Sequence, residues 1–65
     1  MKAVTKWFND EKGFGFVVLE DGQEAFVHHS TIQSDGYRSL AEGEEVDVEV
    51  EQGPKGLKAT SVVKL

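Results

Sequence analysis

The sequence contains no cysteine, a single proline and no long apolar run. Without cysteine, the chain has neither disulfide bonds nor thiolate metal ligands to reinforce it. No stretch approaches the roughly 20 apolar residues of a membrane-spanning helix, so we expect no membrane partner and a cytoplasmic location. The 65 residues suffice for one domain, residues 1–65, and a chain of this size buries only about 60% of its unfolded surface.

Basic residues are also scarce, with seven Lys and Arg against twelve Asp and Glu and a net charge of −5. Proteins that bind nucleic acid usually present a basic surface to the phosphates. Half of the acids, however, fall within residues 42–51, where there is no basic residue, whereas Lys6 and Lys12 accompany the aromatic-rich first half. The overall charge therefore does not exclude a local neutral or basic patch.

Apolar residues alternate with polar ones at the period of a β-strand, and no long helix is indicated. The pattern predicts five strands, at residues 3–9, 14–19, 24–28, 45–51 and 57–65. Asp21-Gly22 is typical of a tight hairpin between the second and third strands. For the connection at residues 30–43 we favour an ordered loop anchored by Ile32 and Leu40, and the alternative is one helical turn capped by Ser30.

Five short strands predict an all-β domain, and closing them into a barrel removes exposed strand edges. We expect antiparallel pairing. The predicted core is aliphatic and consists of Ala25, Val17, Val27, Ile32, Val46, Val48, Val50 and Val62.

The stretch from Lys12 to Leu19 is apolar on both faces of a strand. Phe14 and Phe16 share one face, and Val17 and Leu19 the other. A small sheet packs only one face on its core, so the second face needs another role. A hairpin about Asp21-Gly22 brings Phe26 and His28 beside these rings, Trp7 extends the row, and Lys6 and Lys12 flank it. Such a surface predicts base stacking, worth roughly 1–3 kcal/mol per base.

Three motifs carry a resemblance to a known family. Lys6-Trp7-Phe8-Asn9, Lys12-Gly13-Phe14-Gly15-Phe16-Val17 and Phe26-Val27-His28 resemble, in sequence and spacing, the bacterial cold-shock proteins, and the likeness covers the whole chain. The resemblance implies a five-stranded OB-fold barrel that binds single-stranded RNA and DNA on the face of its first three strands. It also implies an ATP-independent RNA chaperone that acts in the response to low temperature, with no cofactor and no enzymatic activity.

The resemblance also implies which residues bind. Trp7, Phe14, Phe16, Phe26 and His28 correspond to the family's base-stacking surface, and Lys6, Lys12 and Glu24 to its polar contacts. Tyr37 stands where the family usually has a loop phenylalanine, with Arg38 after it, and Lys55 occupies a basic position in the last turn. His29 occupies a position where the family often has phenylalanine or another apolar residue, so we expect weaker or mildly pH-dependent binding there.

Five further residues, at three sites, depart from the family pattern. Ala25 replaces a usual valine beneath the sheet, at a cost on the order of 1 kcal/mol unless a neighbour fills the space. Val4-Thr5 stands where a basic residue followed by valine is common. Leu57-Lys58 replaces a common Pro-Gln pair and leaves the geometry of the last turn open.

Other folds and functions fit these residues less well. An RNA-recognition-motif fold fails because it needs two helices. A metal site at His28-His29 is disfavoured because adjacent strand residues point to opposite faces and no third ligand is evident. Catalysis by Ser30 lacks an oxyanion hole and an orienting acid. The serious alternative is an SH3-like barrel that grips proline-rich peptides on its aromatic face. We expect a monomer, with strand exchange between two chains left open.

Overall fold

The computed structural model describes residues 1–33 and 39–65, and strands dominate them. A single turn of 3₁₀ helix, His29–Thr31, follows the third strand. The strands are β1 (Lys2–Asn9), β2 (Phe14–Leu19), β3 (Glu24–His28), β4 (Ile32–Gln33), β5 (Glu45–Gly53) and β6 (Gly56–Lys64). Within these ranges, no helix is long and apolar enough to cross a membrane.

The five longer strands form a closed barrel. Neighbours follow the order β3-β2-β1-β5-β6, and a further pairing of β3 with β6 closes the ring. This confirms the predicted five-stranded OB-fold barrel. The pairing is mixed rather than purely antiparallel, because β3 and β6 run in the same direction. A closed ring of five strands cannot alternate direction at every contact, so one parallel pairing is unavoidable. The two-residue β4 also pairs in parallel with β6.

The core is aliphatic, as predicted, with one shift at its margin. Val17, Val27, Ile32, Val46, Val48, Val62 and Ala25 are all buried, and Ala3, Leu19, Leu40 and Ala59 join them. Val50 is only partly buried and packs against this cluster. The register of β5 and β6 also shifts between Glu49 and Val50, where Thr60 is an extra residue in β6. Burial of both Ile32 and Leu40 confirms the two predicted anchors of the long connection.

A second register shift lies in β1, and the alternation of apolar and polar residues does not predict it. Thr5 pairs with Val17 and Trp7 pairs with Phe16, so Lys6 is an extra residue on its strand. This is a β-bulge, in which two residues of one strand oppose one of its partner. Lys6 and Trp7 are consequently both exposed, whereas a regular strand would send one of them into the barrel.

The β2–β3 hairpin turns at Asp21-Gly22 as predicted. The Asp21 carboxylate accepts a hydrogen bond from the Gln23 backbone N–H at 3.0 Å and one from its side-chain amide at 2.7 Å. Both bonds lower the pKa of Asp21 below its ordinary value, and the bond from the Gln23 backbone has the larger effect. These contacts fix the hairpin and therefore the register of β2 on β3.

The segment after β3 combines both predicted alternatives. A helical turn forms, but it begins at His29 and its cap is His28 rather than Ser30. The turn leads directly into β4, whose Ile32 is buried.

Candidate nucleic-acid interface

Four aromatic rings form a closed cluster on the outer face of β1, β2 and β3. Trp7 lies 5.9 Å from Phe14 and 5.5 Å from Phe16, measured between ring centroids. Phe26 lies 5.9 Å from Phe14 and 5.8 Å from Phe16. The three phenylalanines are partly exposed, and Trp7 is 37% exposed. The aromatic surface, as we call these four residues, is a continuous apolar platform open to solvent.

Strand register places each ring. Phe16 pairs with Phe26 across β2 and β3, and with Trp7 across β2 and β1. Paired residues of neighbouring strands point to the same face of the sheet, while Val17 and Val27, next in sequence, point into the core. Trp7 joins the rings because the bulge at Lys6 shifts the phase of β1. The predicted division of the Lys12–Leu19 stretch into an aromatic outer face and an aliphatic inner face is confirmed.

Gly15, between the two phenylalanines of β2, is covered by the partly buried Phe8. A Cβ at Gly15 would lie 2.3 Å from the Trp7 carbonyl oxygen and 2.9 Å from a ring carbon of Phe8. No side chain fits there, because both neighbouring atoms belong to the paired strand. The glycine therefore lets β1 lie close behind the rings.

His28 and His29 extend the aromatic surface at the end marked by Phe14. His28 pairs with Phe14, and the His29 imidazole lies 4.4 Å from that of His28. The premise that these two side chains point to opposite faces is wrong, because β3 ends at His28 and the 3₁₀ turn redirects His29. A third ligand is still missing, since residues 1–33 and 39–65 contain no group of three or more His, Cys, Asp or Glu suited to a metal.

His29 is held from behind by the β1–β2 turn. Its backbone N–H donates to the Gly13 carbonyl at 2.8 Å. A Cβ at Gly13, whose φ is +75°, would lie 2.4 Å from the His29 ring. The absence of a side chain at Gly13 therefore creates the space in which the His29 ring stacks on His28.

Two residues with predicted polar contacts are paired with each other. The Lys6 ammonium lies 3.0 Å from a Glu24 carboxylate oxygen, and both side chains are about half exposed. The pair lies at the end of the aromatic surface opposite His28 and His29, where β1 and β3 flank β2. One positive charge beside the rings is thus largely neutralised within the protein.

The remaining predicted residues lie around the rim. Lys12 is exposed in the β1–β2 turn, where its backbone N–H donates to Asn9 Oδ1 at 2.9 Å. Lys55 lies in the β5–β6 turn and lines a groove of about 520 Å³ that also includes Phe16 and Phe26. Tyr37 and Arg38 lie outside the described residues.

The groove contains residues that the motifs did not single out. Pro54, Leu57 and Lys58 line it opposite Phe16 and Phe26. Lys58 lies beside Phe26 because β3 and β6 pair in parallel there. Period-two alternation could have placed Lys58 on the outer face of its strand. Its position next to Phe26 depends on the closing pairing of the barrel, for which no local sequence signal exists.

Comparison with known proteins identifies a family and relatives that match nearly the whole chain. A family model described as 'Cold-shock' DNA-binding domain matches residues 1–65. The chain is 54% identical over 65 residues to cold shock-like protein CspC of Bacillus cereus, with all of both chains covered. It is 55% identical over 60 residues to cold shock protein CspD of Bacillus subtilis, covering 92% of this chain and 91% of that protein. Cold shock-like protein CspG of Shewanella violacea is 56% identical over 64 residues, covering 97% and 91%.

Proposed function

Because this chain belongs to the cold-shock DNA-binding domain family, we propose that it binds single-stranded RNA and DNA by stacking their bases on the aromatic surface. Nucleic-acid binding is the function for which the family is named, and the names of the three relatives denote cold-shock proteins and no enzyme. The proposal assigns that function to particular side chains. Trp7, Phe14, Phe16 and Phe26 are its centre, and His28 and His29 extend it.

The observation that carries the proposal is the closed cluster of four rings, with neighbouring centroids 5.5 to 5.9 Å apart. A barrel of this size gains most from aromatic side chains when they are buried, yet here an aliphatic core is complete without them. Ring faces that remain open to solvent suit the flat faces of unpaired bases, and such stacking depends little on base identity.

The surroundings of the rings favour stacking over charge as the source of affinity. Lys6 is paired with Glu24, which leaves Lys12 and Lys55 as exposed cations at the rim among the described residues that we assign to binding. Tyr37 and Arg38, which lie outside the described residues, complete the proposed contacts.

Preference for single strands follows from the same chemistry. A duplex keeps its base faces inside the stack, where rings on a convex barrel cannot reach them. A protein that binds only the open form of a hairpin shifts the equilibrium toward that form by mass action. We therefore propose an RNA chaperone that melts weak secondary structure without ATP, in the response to low temperature.

Fluorescence of Trp7 tests the proposal directly, since it is the single tryptophan and lies in the surface. Short oligothymidine should quench it at micromolar concentration in low salt, and a duplex of the same length should not. Absence of quenching by the single strand would contradict the proposal. A proline-rich peptide that quenches Trp7 where the oligonucleotide does not would favour the SH3-like alternative.

We also propose that residues 1–65 act as one monomeric domain in the cytoplasm. The aromatic surface is assembled from strands of a single chain, so binding needs no second copy. Size-exclusion chromatography with and without oligonucleotide tests this: elution at the dimer volume would contradict a monomer.

A further inference from the structure

A separate cleft opens off the aromatic surface where β3 and β6 diverge. These strands pair only through Ala25 with Leu57 and Phe26 with Lys58. Beyond this point β3 ends at His28, and β6 carries its extra residue, Thr60. The cleft that results has a volume of about 330 Å³, within the range of roughly 300–1,000 Å³ typical of small-ligand sites. Bulges are frequent beside functional sites because they redirect side chains.

Six of the eight residues that line this cleft have polar side chains. One wall is formed by Phe26, His28, Ser30 and Thr31, and the other by Glu51, Lys58, Ala59 and Thr60. Since Phe26 and His28 also belong to the proposed base-stacking surface, a nucleotide stacked on them lies beside the cleft.

The hydroxyl groups of the cleft are held in position by the protein. Ser30 Oγ lies 2.9 Å from His28 Nδ1, and the Ser30 backbone N–H donates to the same nitrogen at 3.2 Å. The Thr60 hydroxyl donates to the Glu49 carbonyl at 3.2 Å, which leaves its oxygen free to accept a further bond. Fixed hydroxyls of this kind cost less entropy to engage than mobile side chains.

Charge in the cleft disfavours a phosphate. The Lys58 ammonium lies 3.5 Å from a Glu51 carboxylate oxygen, so the two charges largely cancel, and a phosphate on Lys58 would also meet Glu51. A neutral group that both donates and accepts hydrogen bonds suits this lining better. The ribose 2′-hydroxyl is such a group, and it is the atom by which proteins distinguish RNA from DNA.

We infer that the cleft binds the ribose of the nucleotide stacked on Phe26 and His28, with its 2′-hydroxyl hydrogen-bonded to Thr60 and Ser30. The inference rests on the proposed function and adds to it a preference for RNA over DNA. The site adjoins the four-ring cluster at Phe26 and extends from there toward β6.

The test compares oligouridylate with oligodeoxyuridylate of equal length, which differ only in the 2′-hydroxyl, by quenching of Trp7. The protein should bind the ribose form roughly three- to tenfold more tightly, the effect of one net hydrogen bond. Thr60→Val, which keeps the side-chain shape, and Ser30→Ala should each lower affinity for the ribose form alone, bringing the ratio toward one. Ser61→Ala is the matched control, because Ser61 is next in sequence and does not line the cleft.

The outcomes separate this inference from the proposed function. Quenching by both oligonucleotides with equal affinity overturns the inference and leaves the proposed function intact. Equal losses on both sugars in Thr60→Val and Ser30→Ala also overturn it, since the cleft would then hold a base or a phosphate. Absence of quenching by either oligonucleotide contradicts the proposed function itself. A ribose preference that both variants abolish and Ser61→Ala retains supports the inference.

Discussion

Lys6 and Glu24 form an ion pair of 3.0 Å at the end of the aromatic surface opposite His28 and His29. The two residues are 18 positions apart in the chain and come together because β1 and β3 flank β2 on the same face. Both are candidates for contacting nucleic acid, yet in the structure their charged groups bind each other. A phosphate that approaches Lys6 must therefore compete with a carboxylate that is already in place.

Replacing that carboxylate should increase the electrostatic part of binding. If about three phosphates are neutralised, log K for a single strand falls with log salt at a slope of about −2. Glu24→Gln frees Lys6, so we expect tighter binding at low salt and a slope more negative by about 0.7. Titration of Trp7 fluorescence at several salt concentrations measures both quantities.

Glu45→Gln is the matched control, because it makes the same change in net charge and its ion pair with Lys2 lies away from the rings. An equal change of slope in both variants would assign the effect to overall charge. Weaker binding by Glu24→Gln at unchanged slope would mean instead that Glu24 accepts a hydrogen bond from a base. A slope steeper than about −4 in the unaltered protein would contradict the view that stacking dominates.

Removal of single rings should weaken binding far more than folding. Phe14→Ala and Phe26→Ala should each cost roughly 1–3 kcal/mol of binding free energy with a modest loss of stability. Phe8→Ala is the control, since Phe8 packs against the core. This variant should lower the free energy of unfolding by about 2 kcal/mol or more. Urea denaturation and oligothymidine titration measure the two effects. If Phe14→Ala or Phe26→Ala unfolds the protein, that ring is a core residue.

A buried hydroxyl in β1 should be dispensable. Thr5 is 2% exposed, and its Oγ1 has no hydrogen-bond partner among residues 1–33 and 39–65. Because an unsatisfied buried polar group is unfavourable, Thr5→Val, which keeps the side-chain shape, should stabilise the fold by about 1 kcal/mol.

Thr31→Val serves as the comparison for Thr5, since the Thr31 hydroxyl donates to the His28 carbonyl at 2.7 Å and its loss should not stabilise. Urea unfolding of both variants gives the free energies. A decrease in stability for Thr5→Val would show that a solvent molecule or a residue of the long connection satisfies the hydroxyl.

The β2–β3 hairpin should weaken in acid. The folded protein lowers the pKa of Asp21 below its ordinary value of 3.8. A carboxyl with a depressed pKa stabilises the fold above the unfolded-state value, and this contribution disappears as the pH falls through the folded-state pKa. The urea concentration at the midpoint of unfolding should therefore decrease when the pH is lowered below about 4. The decrease should be smaller in Asp21→Asn, which keeps the turn but does not titrate. Superimposable pH profiles of the two proteins would contradict this role for Asp21.

Local patterns were sufficient for most of the fold. Strands β2 and β3 have the predicted bounds because Asp21-Gly22 fixes their hairpin and alternation then determines which side chains are buried. The rings of Phe14, Phe16 and Phe26 followed from the same period. Long-range pairing was not encoded in any short stretch: the β3–β6 contact that brings Lys58 beside Phe26 arises from closure of the barrel. The stacking of His29 on His28 depends on where β3 ends, which alternation does not mark.

The extra residue in β1 has a consequence for how this surface can change over generations. Counted without Lys6, the strand alternates regularly, with Thr5 inward, Trp7 outward and Phe8 inward, in keeping with the observed pairing. Loss of that one codon would therefore leave the tryptophan in its place and the ladder more regular, while deleting the ammonium group beside it. Gain or loss of a single codon could thus adjust the charge of the binding face without redesigning the barrel.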